Sequence, residues 1–320
     1  MPELFSIVSP KTLGWIAFNV FVLFMLLLDL VVFHRDSHEV KLKEALGWSA
    51  FWISLAAIFN VGVWRFGGQE RAVSFLAGYL LEESMSMDNL FVFLLIFNYF
   101  KVPKHLQHRV LFWGILGAII MRGIFIGVGV ALLQRFYWVI YVLGALLVYS
   151  GVMIFLQKET EVEPEKNWVI RIFHKLFRVT KNYEGGHFWV RQGAQWFATP
   201  LFVVLLMVET TDLIFAIDSI PAVMALTSDP FIIYTSNIFA ILGLRAMFFA
   251  LAGVMNLFVY LNYGLGIILI AVGLKMLAEH WVHVPVAYSL VFIVTVLAGS
   301  ILLSVWFPKT KRQILNAQKS

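Results

Sequence analysis

Nine apolar runs, each about as long as a bilayer is thick, constrain this chain more than any other feature. They fall near 13–33, 46–66, 72–98, 110–133, 136–157, 199–225, 231–255, 260–278 and 285–307. A helix rising 1.5 Å per residue needs about 20 apolar residues to cross the hydrocarbon core. The runs lack strand alternation and are too long for barrel strands, so they read as helices. Of the 320 residues, 61% are hydrophobic and 13% charged, where soluble chains carry about 25% charge. Lipid is therefore the expected solvent for most of the chain, and an all-α polytopic membrane protein the expected fold class. The first run is too long for a signal peptide and follows no basic segment, so it reads as a retained span.

The formal charge of +5 reads as a topology signal rather than a nucleic-acid footprint. With the N-terminus outside, the segments 34–45, 99–109, 158–198, 256–259 and 308–320 face the cytoplasm. They hold seventeen Lys/Arg, and the opposite segments hold four. The expected topology is N-out and C-in, in a bacterial-type inner membrane, with the lipid bilayer as partner and no nucleic acid. In the long segment 158–198, residues 165–178 set Trp168, Ile172 and Leu176 apart from Arg171, Lys175 and Arg178. That pattern predicts a basic amphipathic helix on the lipid surface. Oligomeric state is left open.

Two stretches resemble each other. ILG (115–117), Arg122 and GVM (151–153) match ILG (241–243), Arg245 and GLKM (273–276). Three spans per unit would invert the second copy, an architecture that places substrates near the membrane midplane. The expected organisation of 1–320 is a single membrane domain: repeat one 72–157, a cytoplasmic loop 158–198, repeat two 199–278, and peripheral spans 13–33, 46–66 and 285–307.

Buried acids carry the chemistry. The third run, GYLLEESMSMDNLFVFLLIF (78–97), holds Glu82, Glu83, Asp88 and Asn89. The sixth, LMVETTDLIFAIDSIPAV (206–223), holds Glu209, Asp212 and Asp218. Each mid-span carboxylate costs about 2.5–3.5 kcal/mol, so five would cost roughly 12–18 kcal/mol unless protonated, paired or bound to a cation. Arg122, Arg245 and Lys275 are the intramembrane partners, Arg122 and Arg245 as symmetric counter-charges or gates. They leave an acidic excess. The expected cation ligands are Glu82, Asp88, Asn89, Glu209, Asp212 and Asp218, with Asp29, Glu83, Ser86, Thr211, Ser219 and Lys275 as accessory candidates. On an intact helix Glu82 and Asp88 stand about 120° apart, as do Asp212 and Asp218, and Glu209 and Asp218 about 180°. Focusing them on one point predicts broken third and sixth helices, the latter at Pro221.

Oxygen ligands without His or Cys suit Mg²⁺, Ca²⁺ or Mn²⁺. The chain has no cysteine, which excludes disulfides and thiol redox chemistry within it. No prosthetic group is expected. Neither GxGD nor HExxH occurs, and no enzyme activity is expected.

At these residues the chain resembles the TerC family of membrane proteins, in particular its Alx-like members. The resemblance lies in LDLVVFHRDSHEVKLKEAL (28–46), GYLLEESMSMDNLFVF (78–93), ATPLFVVLLMVETTDLIFAIDSIPAV (198–223) and DPFIIYTSNIFAILGLRAMFFALAG (229–253). It implies Mn²⁺ export as the function, with tellurium resistance in some members and roles in metal supply and pH response. Transport of another cation, Ca²⁺ or H⁺, is one alternative. A membrane scaffold or regulator in tellurium, alkaline or redox stress is the other.

Overall fold

A computed structural model describes residues 10–34, 42–136, 138–156, 169, 171–173, 177–193, 195–252, 260–282 and 284–306, with the side chains of 10, 11, 29–34, 88 and 252 outside that description. The chain divides into two compact units, Met1–Glu39 and Val40–Ser320. The first contains α1 (Pro10–His34), apolar along its length.

The second unit is built from eight long helices: α2 (Leu42–Gly67), α3 (Gln69–Tyr99), α4 (Lys104–Arg135), α5 (Val139–Leu156), α6 (Pro200–Met224), α7 (Pro230–Ala252), α8 (Leu261–Ala278) and α9 (Val286–Trp306). Among the described residues, seven of these (all but α3) are long and apolar enough to cross a bilayer. Helix α3, at 31 residues, is long enough but carries acids through its middle. The fold is that of an all-α polytopic membrane protein.

Helices α3, α4, α6 and α7 pack against one another, and α2 covers α7 and α3. Helix α7 is the most enclosed of the spans, with 94% of its apolar window buried. That enclosure explains why α7 tolerates Thr235, Ser236, Asn237 and Arg245, all buried within it. Outward faces carry exposed Ile, Leu and Phe, such as Ile120, Ile124 and Val128 on α4, as lipid contact requires.

Helices α5 and α8 form a separate antiparallel pair, stacked backbone to backbone. A Cβ on Gly151 would lie 2.7 Å from the Gly266 carbonyl oxygen, and one on Gly273 would lie 2.7 Å from that of Gly144. Small residues at such a crossing let helices associate where lipid supplies no hydrophobic drive.

The long loop holds an element for which the sequence carries no expectation. It contains a two-stranded antiparallel hairpin, β1 (Trp189–Gln192) and β2 (Gln195–Ala198), turned at Gly193 with φ 64°. Most of the amphipathic helix expected at 165–178 lies outside the described residues. Where described, Phe173 and Phe177 pack on Trp189 and Phe202, joining the loop to the start of α6. The Tyr183 hydroxyl donates to the Phe100 carbonyl at 2.8 Å, tying the loop to the end of α3. Burial pushes the Tyr183 phenol up to about 12. The protonated donor is thus favoured in the folded state, so its contribution is complete below pH about 10 and lost as pH rises toward 12. Tyr183→Phe is expected to lower thermal stability by about 1 kcal/mol at neutral pH and to remove this alkaline loss, as a melting series from pH 8 to about 12 would show.

Candidate functional site

Helices α3 and α6 are continuous, which corrects the expectation that they break. Pro221 stands three residues before the end of α6, and its carbonyl still accepts from the Ala225 N–H at 2.9 Å. The missing proline donor costs the helix one backbone bond, toward the Ile217 carbonyl, and α6 runs on through that turn. Hydroxyls on both helices donate back to carbonyls one turn earlier, as in intact helix: Ser84 to Leu80, Thr210 to Leu206 and Thr211 to Met207, at 2.6–2.7 Å.

With both helices intact, the acids cannot all aim at one point, and they do not. Glu82 and Asp212 meet at Arg122. The Arg122 guanidinium is fully buried between α3, α4, α6 and α7. Its Nη1 donates to Glu82 Oε1 and, at 3.1 Å, to Asn237 Oδ1. Its Nη2 donates to Asp212 Oδ1 at 3.1 Å and its Nε to Asp212 Oδ2 at 3.4 Å. Asn237 closes the ring, its Nδ2 donating to Glu82 Oε2 at 2.9 Å. The cluster is thus two carboxylates and one amide oxygen around one guanidinium, contributed by four different helices.

Sequence reasoning missed Asn237. It lies in YTSNIF, a polar run in an otherwise apolar helix, and that run was the available signal.

The remaining acids point elsewhere. Glu83, one residue from Glu82, is buried and accepts from Tyr79. It faces Gly243 of α7, where a Cβ would lie 3.9 Å from its Oε1. Glu209 is half-buried against α4 at Gly117, where any Cβ would overlap its carboxylate. Gly117 and Gly243 are separated in sequence by the same offset as Glu83 and Glu209. Asp218 accepts from Ser150 of α5 at 2.7 Å. Lys275 donates to Ser289 of α9 at 3.2 Å and so lies away from the cluster.

Asn89 is buried on the same face of α3 as Glu82 and Ser86. Ser86 and Ser219 are buried with hydroxyls that have no hydrogen-bond partner among the described residues. Arg245 is buried on α7, two turns beyond Asn237. The side chains of Asp88 and Asp29 lie outside the described residues. Among those described, no three His, Asp or Glu gather into one potential metal-binding group.

Beside Asp212 is a narrow cavity of about 10 Å³, room for roughly one water, lined by Gly114, Ala118 and Val208 among others. It lies toward the Lys104 end of α4. In the opposite direction α3 and α7 close tightly. A Cβ on Gly78 would lie 2.9 Å from Ser236 Oγ, and Arg71 pairs with Asp229 at 3.0 Å where these two helices begin.

A bundle of apolar helices around buried charged groups defines a multi-pass integral membrane protein with a polar centre. The profile of the integral membrane protein TerC family matches residues 67–312, and the chain belongs to that family. It is 51% identical over 290 residues to an uncharacterized membrane protein of Myxococcus xanthus, covering 91% of each chain. It is also 44% identical to a protein of Salmonella typhi that carries the name membrane-bound redox modulator Alx, over 95% of this chain and 97% of that one. The protein of that name in Escherichia coli K12 is 43% identical, over 91% and 94%. No solved structure matches the chain.

Proposed function

We propose that this protein is a divalent-cation transporter and that it exports Mn²⁺ from the cytoplasm. The observation that carries the reading is a surplus of carboxylate. Glu209 and Asp218 flank Asp212 on α6, and among the described residues neither pairs with a Lys or Arg. Unpaired acids in membrane helices are expensive, and a transported cation offsets that cost. The three α6 acids span nine positions, about 14 Å along the helix, which suits a relay across the middle of a bilayer.

Helices α3 and α6 contain no His, and the chain no Cys, so the ligands on offer are hard oxygens. Among hard divalents, the choice of Mn²⁺ and the outward direction rest on the family resemblance. In the N-out, C-in topology that the Lys/Arg distribution favours, the Lys104 end of α4 is cytoplasmic. The cavity beside Asp212 would then be the entry side, and the Arg71–Asp229 end the closed outer side. Protons returning through the same carboxylates would couple export to the proton gradient.

Purified protein in liposomes with an entrapped Mn²⁺-sensitive dye tests this. The expected result is saturable Mn²⁺ flux well above protein-free liposomes. Flux no greater than that background would sink the transport reading and favour a scaffold or regulator in stress resistance.

A further inference from the structure

Arg122 is held by the same oxygens that a hard divalent cation would use. We propose that its guanidinium is a tethered cation that fills the transport site between cargoes, and that Glu209 receives it when a metal ion takes its place. This rests on the transport reading above and assigns distinct roles within that site.

Three features lead to it. The acceptors around Arg122 are Glu82 Oε1, both Asp212 oxygens and Asn237 Oδ1, the carboxylate and amide set typical of Mg²⁺, Ca²⁺ and Mn²⁺. The charge balance then forbids shared occupancy. Glu82 and Asp212 together neutralise one divalent ion, and adding the guanidinium would set three positive charges against two negative ones in a buried space. A metal ion must therefore displace Arg122.

The third feature is a place for it to go. Glu209 precedes Asp212 by three residues, which puts the two on one face of α6 about 5–6 Å apart. No Lys or Arg pairs with Glu209 among the described residues, and its carboxylate occupies space that exists only because residue 117 is glycine. The cavity beside Asp212 is lined by Gly114 and Ala118 of α4, which leaves open space next to the cluster. Arg122 would move about one helical turn, from Asp212 to Glu209. In this scheme Glu209 is a positioning residue that acts through Arg122 and not a metal ligand.

Mn²⁺ binding to the purified full-length protein, followed by the electron paramagnetic resonance signal of free Mn²⁺, tests the proposal. Thermal unfolding monitors folding of each variant. Arg122→Gln is expected to bind Mn²⁺ about tenfold more tightly than wild type, because the internal competitor is gone. Glu209→Gln is expected to weaken binding about tenfold in the wild-type background and by less than about twofold in the Arg122→Gln background.

Equal losses in both backgrounds would make Glu209 a ligand and overturn the proposal. So would weaker binding by a folded Arg122→Gln protein. If that variant does not fold, Arg122→Lys carries the test, since it keeps the charge but loses the fork that grips Asp212. Tighter binding than wild type then supports the proposal, and equal or weaker binding overturns it. A failed transport reading would look different, because the wild type itself would neither bind nor move Mn²⁺.

Discussion

Asp212→Asn is expected to reduce Mn²⁺ flux about a hundredfold and to cost about 3 kcal/mol of stability. Arg122 grips both oxygens of Asp212, through Nη2 at 3.1 Å and Nε at 3.4 Å. An asparagine can offer only one oxygen, so its NH₂ group would face a guanidinium N–H, donor against donor. The guanidinium would also keep one carboxylate, Glu82, where it had two, while remaining fully buried. Removing one partner of a buried ion pair costs far more than removing both. The double variant Arg122→Gln/Asp212→Asn should therefore regain stability lost in Asp212→Asn without regaining flux. Proteoliposome flux and detergent melting curves separate the two effects. A single variant that melts like wild type and still transports would remove Asp212 from both roles.

The charged half of this cluster was legible in the sequence, and its assembly was not. Carboxylates and an arginine inside apolar runs stand out because each costs several kcal/mol in lipid, so Glu82, Asp212 and Arg122 could be singled out from one chain. Asn237 was marked only by the polar run YTSNIF, a weak signal because an amide is cheap enough in a membrane helix to occur without special purpose. Its role appears only when α7 is seen buried on nearly all sides.

An intact helix cannot focus Glu82 with Asp88, or Glu209 with Asp218. The resolution is dispersal in place of unwinding. Glu83 faces Gly243, Glu209 faces Gly117 and Asp218 meets Ser150, all on unbroken helices. Pro221 misled because it removes a single backbone bond, and α6 stays continuous without it. The hairpin at 189–198 was missed because four-residue strands inside a polar loop leave too short an alternation to read. The seven helices that, among the described residues, are long and apolar enough to cross a bilayer were legible because lipid enforces length and apolarity together.

Glycines 144, 151, 266 and 273 show the same limit from another side. Two of them, Gly151 and Gly273, stand out in sequence because they lie in the two similar stretches, yet Gly151 meets Gly266 and Gly273 meets Gly144, a pairing that only the crossing of α5 and α8 reveals. Gly151→Leu is accordingly expected to be among the most damaging changes in the chain. Its Cβ would lie 2.7 Å from the Gly266 carbonyl oxygen and 3.0 Å from the Ile270 nitrogen. Both are backbone atoms of a helix, which cannot rotate aside as a side chain can. The helices must separate, and in lipid no hydrophobic drive pulls them back together. Overpacking costs about 1–3 kcal/mol in cores that can adjust, and this contact should reach or exceed the upper figure. The damage should also extend to the polar centre, because Ser150, the neighbour of Gly151, holds Asp218 at 2.7 Å. Gly127→Leu is the matched control, on the exposed face of α4 with nothing within 4 Å of its Cβ position. Melting of the two variants in detergent should place Gly151→Leu well below Gly127→Leu, with Gly127→Leu close to wild type. Equal melting temperatures would mean that the α5–α8 crossing does not depend on backbone contact.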